Sequence, residues 1–487
     1  MKNIDLQLIP EPVHRLREIL GPEKSYAVGG IVRDTVLMAL YNGSGKITRT
    51  HGNDWDIATP LLPKEVISRL RQANITAVPI GFEHGTVAAV IDQVQYEITT
   101  FRYDIDYKDG RHPTIQFTDS IEEDLKRRDF TVNAFALDID TGEILDLFSG
   151  IEDLKKRVIR SVGNPEHRFE EDHLRMLRAA RFAAKLEGSV AVETLAAIRK
   201  HAPRIQRISP ERIRDEIMKI LAYRKPSIAF MLMQESGLLY YIMPELDVCF
   251  DVGQNYFHAD NVGMHTLHAV DAISPEYPFY RFCTLMHDLG KVPCKLYKPE
   301  KKDYVFYGHQ YASKRMTRAI MRRLRFSNKE IHRACDIVEN HMYNLKPDLS
   351  ESAIRRFVRK LDEENVDGFL RMRMADRKGN RFNDEGYEKG IFHFVRSLRK
   401  IRKAENALKV HDLEITGHDL MKLDLKPGPI FSEILNQLLE WVLDDPNRNN
   451  HGWLVEKARE YAEEYKRTGS ITKIQREEDE TEEASPS

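Results

Sequence analysis

Over the first 150 residues, short apolar runs rich in β-branched and aromatic side chains stand between Gly and Asp. Tyr26–Val28, Thr86–Ile91, Tyr96–Phe101 and Thr131–Leu137 have this character and predict strands. Between them apolar positions recur every three or four residues, as in Ile31–Tyr41 and Lys64–Ala73, which predicts helices. Beyond Gly150 the period changes. Leu174–Leu186, Val192–His201 and Arg212–Tyr223 are helical in spacing, and almost everything to about Lys466 follows suit. Ser209-Pro210 places an N-cap before a proline at the first helical position. The expectation is an α/β head at 1–150, a helical neck at 151–245, a helical domain at 246–400 and a helical tail domain at 401–475. Residues 476–487 carry six acids in EEDETEEASPS and predict a disordered acidic tail.

Composition narrows this picture. A chain of 487 residues exceeds one compact core and suggests about two to four domains. Its 41% hydrophobic content is that of a globular protein. No apolar run approaches the roughly 18 residues that span a bilayer, so no membrane association is expected. The N-terminal MKNIDLQLIPEPVHRL lacks the apolar stretch of a signal peptide. The four cysteines, Cys249, Cys283, Cys294 and Cys335, form no C-x-x-C pair, which fits a reducing cytoplasm. Net charge is −2, yet 18 Lys/Arg face 9 Asp/Glu between Lys155 and Lys225. From Tyr311 to Arg333 there are 8 basic residues and one acid, Glu330. Such local basic surfaces suit a phosphate backbone, or are simply solvated helix faces.

Chemistry enters at YAVGGIVRDTVLM, where a strand runs through Gly29-Gly30 into a helix. Adjacent glycines permit close backbone approach, and the helix N-terminus favours phosphate. Arg33 sits one turn in, able to fork onto an anion, with Asp34 beside it to orient it. About twenty residues on, Asp54 and Asp56 of NDWDIAT share one face of an extended strand. Two carboxylates on one side repel unless a cation lies between them, the arrangement that holds Mg²⁺ ions for in-line phosphoryl transfer.

Gly29-Gly30-x-x-Arg33-Asp34 followed by Asp54-x-Asp56 resembles the nucleotidyltransferase superfamily that includes DNA polymerase β. It is most similar to the bacterial-type CCA-adding enzymes and poly(A) polymerases of class II. Further motifs follow in the family's order. Arg127-Arg128-Asp129-Phe130-Thr131-Val132-Asn133-Ala134 matches its R-R-D-F-T-x-N-A, which helps bind ribose and phosphates. Asp146-Leu147-Phe148-Ser149-Gly150 and Asp153-Leu154 are similar to the hinge between head and neck. Ser209-Pro210-Glu211-Arg212-Ile213 resembles the last conserved motif, to which we assign a structural role.

Base selection is expected at Glu171-Asp172-His173-Leu174-Arg175, which resembles the family's E-D-x-x-R. If the segment is helical, Asp172 and Arg175 are neighbours on one face, with Arg178 and Arg181 continuing the row. A carboxylate only accepts and a guanidinium only donates. Cytosine and adenine each present an amine beside an unprotonated ring nitrogen, so such a pair accepts both. Uracil and guanine present the reverse and are rejected. The plainer alternative is an intrahelical ion pair worth about 0.3–0.5 kcal/mol.

The stretch from Phe101-Arg102-Tyr103-Asp104 to His112-Pro113 resembles the family's flexible loop, present in relatives that add A. Histidines then cluster: His265, His287-Asp288, His309, His341, with Asp376 beyond. Neutral imidazoles with carboxylates suit transition metals or Mg²⁺. The order resembles the HD phosphohydrolase superfamily, which makes 246–400 an HD domain. It implies His265, His287, Asp288 and Asp376 as metal ligands, with His309 and His341 completing a second position. His258 and His268 flank the cluster. Leu413–Leu420 and Leu425–Pro429 resemble the tail region of the bacterial enzymes.

The resemblance implies a polymerase-β-like α/β head followed by an all-α neck, HD domain and helical tail. It implies addition of C and A to the tRNA 3′ end from CTP and ATP without a template. Asp54 and Asp56 would be catalytic and hold Mg²⁺. Gly29, Gly30, Arg33, Arg128, Asp129, Asn133, Asp172, Arg175, Arg178 and Arg181 would bind the nucleotide. Glu97 or Asp129 would supply a third carboxylate. The HD site would take a divalent metal, Mg, Mn, Ni or Fe, and no obligate protein partner is indicated. The rival readings are a poly(A) polymerase or A-adding enzyme of the same family, and an HD phosphohydrolase whose head only binds nucleotide or RNA.

Overall fold

The computed structural model describes residues 3–41, 55–107, 113–254, 260–378, 385–404 and 408–474. The chain divides into two compact units, Met1–Asp247 with Ser274–Pro278, and Val248–Ile273 with Phe279–Ser487.

The first unit is built on a seven-stranded sheet. Its strands are β1 (Tyr26–Val28), β2 (Asp56–Thr59), β3 (Thr76–Gly81), β4 (Thr86–Ile91), β5 (Val94–Thr100), β8 (Phe135–Asp138) and β9 (Ile144–Asp146), in the order β3-β4-β5-β2-β1-β8-β9. Strands β6 (Arg102–Tyr107) and β7 (Pro113–Phe117) form a separate antiparallel hairpin. The sheet is mixed: β2 runs parallel to β5, and the other pairings are antiparallel. Three central strands are short, so register decides which side chains meet. Val28 on β1 pairs with Asp56 on β2 and with Ala136 on β8. Val28, Ala58, Phe101, Ile121, Leu125 and Ala136 close over one face as a dry cluster.

Two expectations change here. Thr131–Leu137 is not one strand: Thr131–Asn133 is a 3₁₀ turn, and the ladder begins at Phe135. Side chains outcompete the sheet at this point. Asp129 accepts from the Phe130 amide at 2.9 Å and from the Asn133 side chain at 3.1 Å, while Thr131 donates to Asp153 at 2.8 Å. The expected loop after Phe101 is the β6–β7 hairpin, because RYDIDY alternates with period two. Residues 108–112 of that loop lie outside the described residues.

After the sheet the first unit continues in helices that pack on one another, Pro165–Glu171, Leu174–Leu186, Val192–His201, Pro210–Leu221 and Ser227–Glu235. The junction from sheet to helices is bracketed by carboxylates. Asp146 accepts from the amides of Gly150 and Ile151 at 2.8 and 2.9 Å, capping the Gly150–Lys156 helix. Gly150 itself lies too near the Thr131 carbonyl for any side chain.

Among its described residues the second unit is helical except for a two-stranded hairpin, Leu296–Lys298 with Asp303–Val305. Helices Val262–Ala272, His309–Arg323, Asn328–Glu339, Glu351–Leu361 and Glu363–Lys378 carry most of its core. Phe357 stacks on Tyr343 at 3.8 Å and meets Phe369 and Phe394. A further core around Leu413, Ile415, Leu420 and Leu425 packs on helices Pro429–Asp444 and His451–Thr468. No helix among the described residues is long and apolar enough to cross a membrane. The acidic segment 476–487 lies outside the described residues.

Candidate active site and metal centre

The Gly29-Gly30 turn is forced by its surroundings. Gly29 holds φ +80°, where L side chains are strained. A Cβ there would stand 3.0 Å from Asp56 Oδ2 and 3.9 Å from an Arg128 nitrogen. The register of β1 against β2 thus brings the turn, the Asp56 carboxylate and the Arg128 guanidinium to one place. Arg128 is anchored by Asp124, which also takes Arg127. Against burial, these two guanidiniums hold the Asp124 carboxyl below its usual range. Asp54 lies outside the described residues. Glu97 is exposed on β5, one residue before Ile98, which pairs with Ile57 of β2.

A chain of charged groups runs on from this turn. Arg33 is buried, with Nε donating to Asp34 at 2.8 Å and Nη1 to Asn133 at 2.6 Å. Lys185 reaches Asp34 Oδ2 at 2.9 Å. Asn133 donates to Asp129, whose other oxygen receives Arg178 Nε and Nη2 at 2.8 and 2.6 Å. Burial opposes ionisation of Asp129, yet the Arg178 guanidinium wins and brings its carboxyl down to about 2. Phe182 packs among the guanidiniums of Arg33, Arg178 and Arg181, with Cζ atoms 5.3, 5.5 and 4.2 Å from the ring centroid. Arg181 Nε donates to Glu216 at 2.6 Å.

Asp172 and Arg175 do not share a helical face. Asp172 has extended backbone, φ −144° and ψ 108°, and caps the C-terminus of Pro165–Glu171. Its Oδ1 accepts from the Leu174 amide at 3.0 Å and its Oδ2 from Arg212 at 3.0 Å. Arg175 donates to Glu171 and, at 3.3 Å, to the Arg127 carbonyl of the head. The helix breaks here because the Asp172 carboxylate caps the next helix instead of continuing the first. The expected intrahelical row starts at Leu174, and no Asp172–Arg175 ion pair forms.

In the second unit, all six expected ligands converge. His265, His287, Asp288 and Asp376 offer one atom each within 4.8 Å of one another, and Asp288, His309 and His341 form a second such group. Asp288 belongs to both. Its Oδ2 is 3.2 Å from His287 Nε2, and its Oδ1 is 3.4 Å from His309 Nε2. Asp376 Oδ1 is 2.9 Å from His265 Nε2 and 3.5 Å from His287 Nε2.

Backbone carbonyls set the imidazoles. Nδ1 of His287, His309 and His341 lies 2.6, 2.8 and 2.6 Å from the carbonyls of Thr284, Phe306 and Val338. Each Nδ1 therefore carries the hydrogen and each Nε2 presents a lone pair inward. His309 and His341 face each other Nε2 to Nε2 at 3.1 Å, which repels unless a proton or cation lies between them. Burial, with His309 and His287 nearby, pushes His341 well down and keeps it neutral. Burial opposes protonation of His287 too, but Asp288 and Asp376 push it up to about 10, so its Nε2 offers a lone pair only once a cation displaces the proton drawn there by the two carboxylates. The donor set fits a divalent metal pair. His268 pairs with Asp260 at the surface, and His258 lies outside the described residues.

Residues 25–160 match the family model of the poly A polymerase head domain. Residues 189–250 match that of an RNA and SrmB-binding site of polymerase A, and 305–458 that of tRNA nucleotidyltransferase domain 2. The chain is 47% identical over 199 residues to the CCA-adding enzyme of Enterococcus faecalis, covering 41% of this chain and 45% of the relative. It is 43% identical over 231 residues to that of Limosilactobacillus reuteri, covering 47% and 53%. The chain spans about half the length of the curated relatives it matches. Among solved structures it is similar to the Bacillus stearothermophilus CCA-adding enzyme in complex with CTP. That match has 27% identity and a TM-score of 0.67, and it covers 94% of this chain and 100% of that one. The family these findings support is that of the bacterial CCA-adding enzymes and poly(A) polymerases.

Several residues of the polymerase head and its neighbours escaped the sequence reading. Asp124, Arg212 and Glu216 anchor Arg128, Asp172 and Arg181 of the expected site, and Lys185 anchors Asp34, the partner of Arg33. Their partners lie 4 to 151 positions away, and the distant ones leave no local signal. At the candidate metal centre, Lys291 stands 2.8 Å from Asp288 Oδ2, and Arg373 is 3.2 Å from Asp376. The i, i+3 spacing of Arg373 and Asp376 on the Glu363–Lys378 helix could have found that pair, whereas Asp288 lies in the turn before Lys291.

Proposed function

We propose that this protein adds C and A to the 3′ end of tRNA from CTP and ATP, without a nucleic-acid template, in the cytoplasm. The observation that carries this reading is the Gly29-Gly30 turn closing on Asp56 and Arg128 inside a polymerase head. In the reaction the tRNA 3′-hydroxyl oxygen bonds to the α-phosphorus, the hydroxyl proton leaves, and pyrophosphate departs. Asp54 and Asp56 are assigned to hold Mg²⁺, which when bound acidifies the hydroxyl and neutralises the triphosphate. Asp56 fits this role because it faces a turn in which any side chain is strained and crowds its carboxylate. Glu97 is preferred over Asp129 as third carboxylate. Support comes from the strand register, in which Ile98, the residue after Glu97, pairs with Ile57, the residue after Asp56, whereas Asp129 is taken up by Arg178 and Asn133.

Gly29 and Gly30 let phosphates approach the backbone, and Arg128 supplies a fixed positive fork. Arg33, Asp129, Asn133, Arg178 and Arg181 form the wall that holds head and neck residues in place around the nucleotide. Asp172 retains a lone pair on each oxygen beyond its contacts with Leu174 and Arg212 and accepts the amine of C or A. Arg175, steadied by Glu171 and the Arg127 carbonyl, donates to the ring nitrogen. The test uses tRNA transcripts ending before C74, before C75 and before A76 (tRNA positions), each incubated with CTP, ATP or both. Completion of all three to CCA supports the reading. Extension of the last alone makes the protein an A-adding enzyme, and long adenosine tracts make it a poly(A) polymerase.

A second reading concerns the other unit. His265, His287, Asp288 and Asp376, with His309 and His341 through the shared Asp288, support an HD-type phosphohydrolase centre. A divalent metal there, Mg, Mn, Ni or Fe, would turn a bound water into a nucleophile for a phosphate ester. Release of phosphate from a simple aryl phosphate, abolished by Asp288→Asn, tests it.

A further inference from the structure

We propose that the hairpin Leu296–Lys298 with Asp303–Val305, together with the exposed face of the helix that follows it, binds a single-stranded RNA end for the metal centre of the second unit. The proposal rests on the phosphohydrolase reading for its chemistry and on separate observations for its surface.

The hairpin lies on the segment between two candidate ligands, after Asp288 and the short Lys291–Cys294 helix and before His309. Tyr297 and Tyr304 sit opposite each other across the two strands, rings edge to face at 5.5 Å. They are 51% and 39% exposed, and Tyr307, two residues before His309, is 56% exposed. Three tyrosine rings thus stand partly in water on the segment that connects Asp288 to His309. Aromatic faces at such a place form a stacking platform, tolerant of sequence because every base has a π-face.

Lysines interleave with the rings. Lys295 lies 4.2 Å from the Tyr304 ring centroid and is fixed by a 2.7 Å bond to the Gly253 carbonyl. Lys301 donates to the Tyr307 hydroxyl at 3.3 Å. Positive charge alternating with aromatic rings fits a phosphate backbone with stacked bases. The basic character continues along His309–Arg323. Arg315 and Arg322 are exposed, seven residues apart and hence on one face, and no carboxylate pairs with either among the described residues. A lipid surface fits less well, since among the hairpin strands and their turn only Leu296 is a large exposed aliphatic. The track and the metal centre together define the substrate class as the phosphate-bearing end of an unpaired RNA strand, rather than a free mononucleotide.

The experiment uses the full chain with Mn²⁺. One arm measures phosphate release from a single-stranded RNA 12-mer with a 3′-phosphate and from an aryl phosphate. For Tyr297→Ala/Tyr304→Ala, and separately for Arg315→Glu/Arg322→Glu, the ratio of kcat/KM for RNA to that for the aryl ester is expected to fall at least tenfold, through KM. The other arm cross-links a 4-thiouridine-containing 12-mer and maps the attached peptide, expected within residues 295–322. An unchanged ratio overturns the proposal, and so does a cross-link confined to other segments. If neither ester is hydrolysed, the phosphohydrolase reading fails, and the cross-link map still decides whether RNA uses this surface. Capture by anionic phosphatidylserine vesicles without an RNA cross-link overturns the proposal in favour of a membrane surface.

Discussion

Arg178 grips Asp129 with two nitrogens on one carboxylate oxygen, at 2.8 and 2.6 Å, and so ties the Leu174–Leu186 helix to the head. The arginine side chain is 34% exposed and the aspartate 9%. Breaking a fully buried pair by removing one partner costs about 3–5 kcal/mol; with Arg178 one-third exposed, roughly 2–3 kcal/mol is expected for Asp129→Asn. Urea unfolding measures it. An unchanged midpoint would show that the bridge adds nothing to stability.

The same bridge sets a pH dependence. Asp129 titrates at about 2 in the fold, below an unfolded carboxylate near 4. Its contribution is therefore complete above roughly pH 4 and lost as pH falls through that value towards 2. Thermal melts between pH 5 and pH 2.5 should show a shallower acid loss for Asp129→Asn than for the unaltered chain. Parallel acid limbs would place the acid sensitivity in other carboxylates.

How much of this was legible in the sequence depends on distance along the chain. Leu174–Leu186 and Val192–His201 were readable to the residue, because helical periodicity is local. The six candidate metal ligands were named from an order of His and Asp that resembles the HD phosphohydrolase superfamily, and the fold brings their side chains together. Asp172 was misplaced, since nothing in EEDHLRML shows that its carboxylate caps the following helix at Leu174 instead of lying on a helical face. Thr131 to Asn133 read as strand for the same reason: their turn is held by Asp129 and Asp153, and propensity does not see side-chain partners. The anchoring of Arg128 by Asp124 and of Asp172 by Arg212 needed the folded chain.

Gly29 offers a sharp test of the turn. An alanine there would hold φ +80° at a cost of about 1–3 kcal/mol and set its methyl 3.0 Å from Asp56 Oδ2. Nucleotide addition by Gly29→Ala should fall by about two to three orders of magnitude, comparable to losing a preorganised charge from a site. Asp56→Asn should give a similar loss with an unaltered far-ultraviolet circular dichroism spectrum. Primer extension of a tRNA transcript lacking A76 measures both, and near-normal rates for either variant would move the site elsewhere.

The base-reading assignment predicts a change of specificity rather than a simple loss. Asp172→Asn replaces an accept-only carboxylate oxygen with an amide donor while keeping the shape. One recognition bond of this kind discriminates by about 1–3 kcal/mol, so preference for CTP over UTP should drop roughly tenfold to a hundredfold. Arg212→Met removes the 3.0 Å bond that steadies Asp172 and should raise KM for CTP and ATP together, with less effect on their ratio to UTP. Equal CTP/UTP ratios in all three proteins would exclude Asp172 from base reading.

Metal loading of the second unit should appear as stability independent of any catalytic assay. A ligand that binds only the folded state at a hundred times its Kd adds about 2.7 kcal/mol. Chelator-treated protein should therefore melt several degrees lower than protein titrated with Mn²⁺. Asp288→Asn should erase the difference, because Asp288 is the residue common to both ligand groups. His341→Gln should remove only part of it, since His341 belongs to the group of Asp288 and His309, while His265, His287 and Asp376 remain in the other. Equal losses in the two variants would mean a single ion shared by all six residues, and no loss in Asp288→Asn would mean that the cation binds elsewhere.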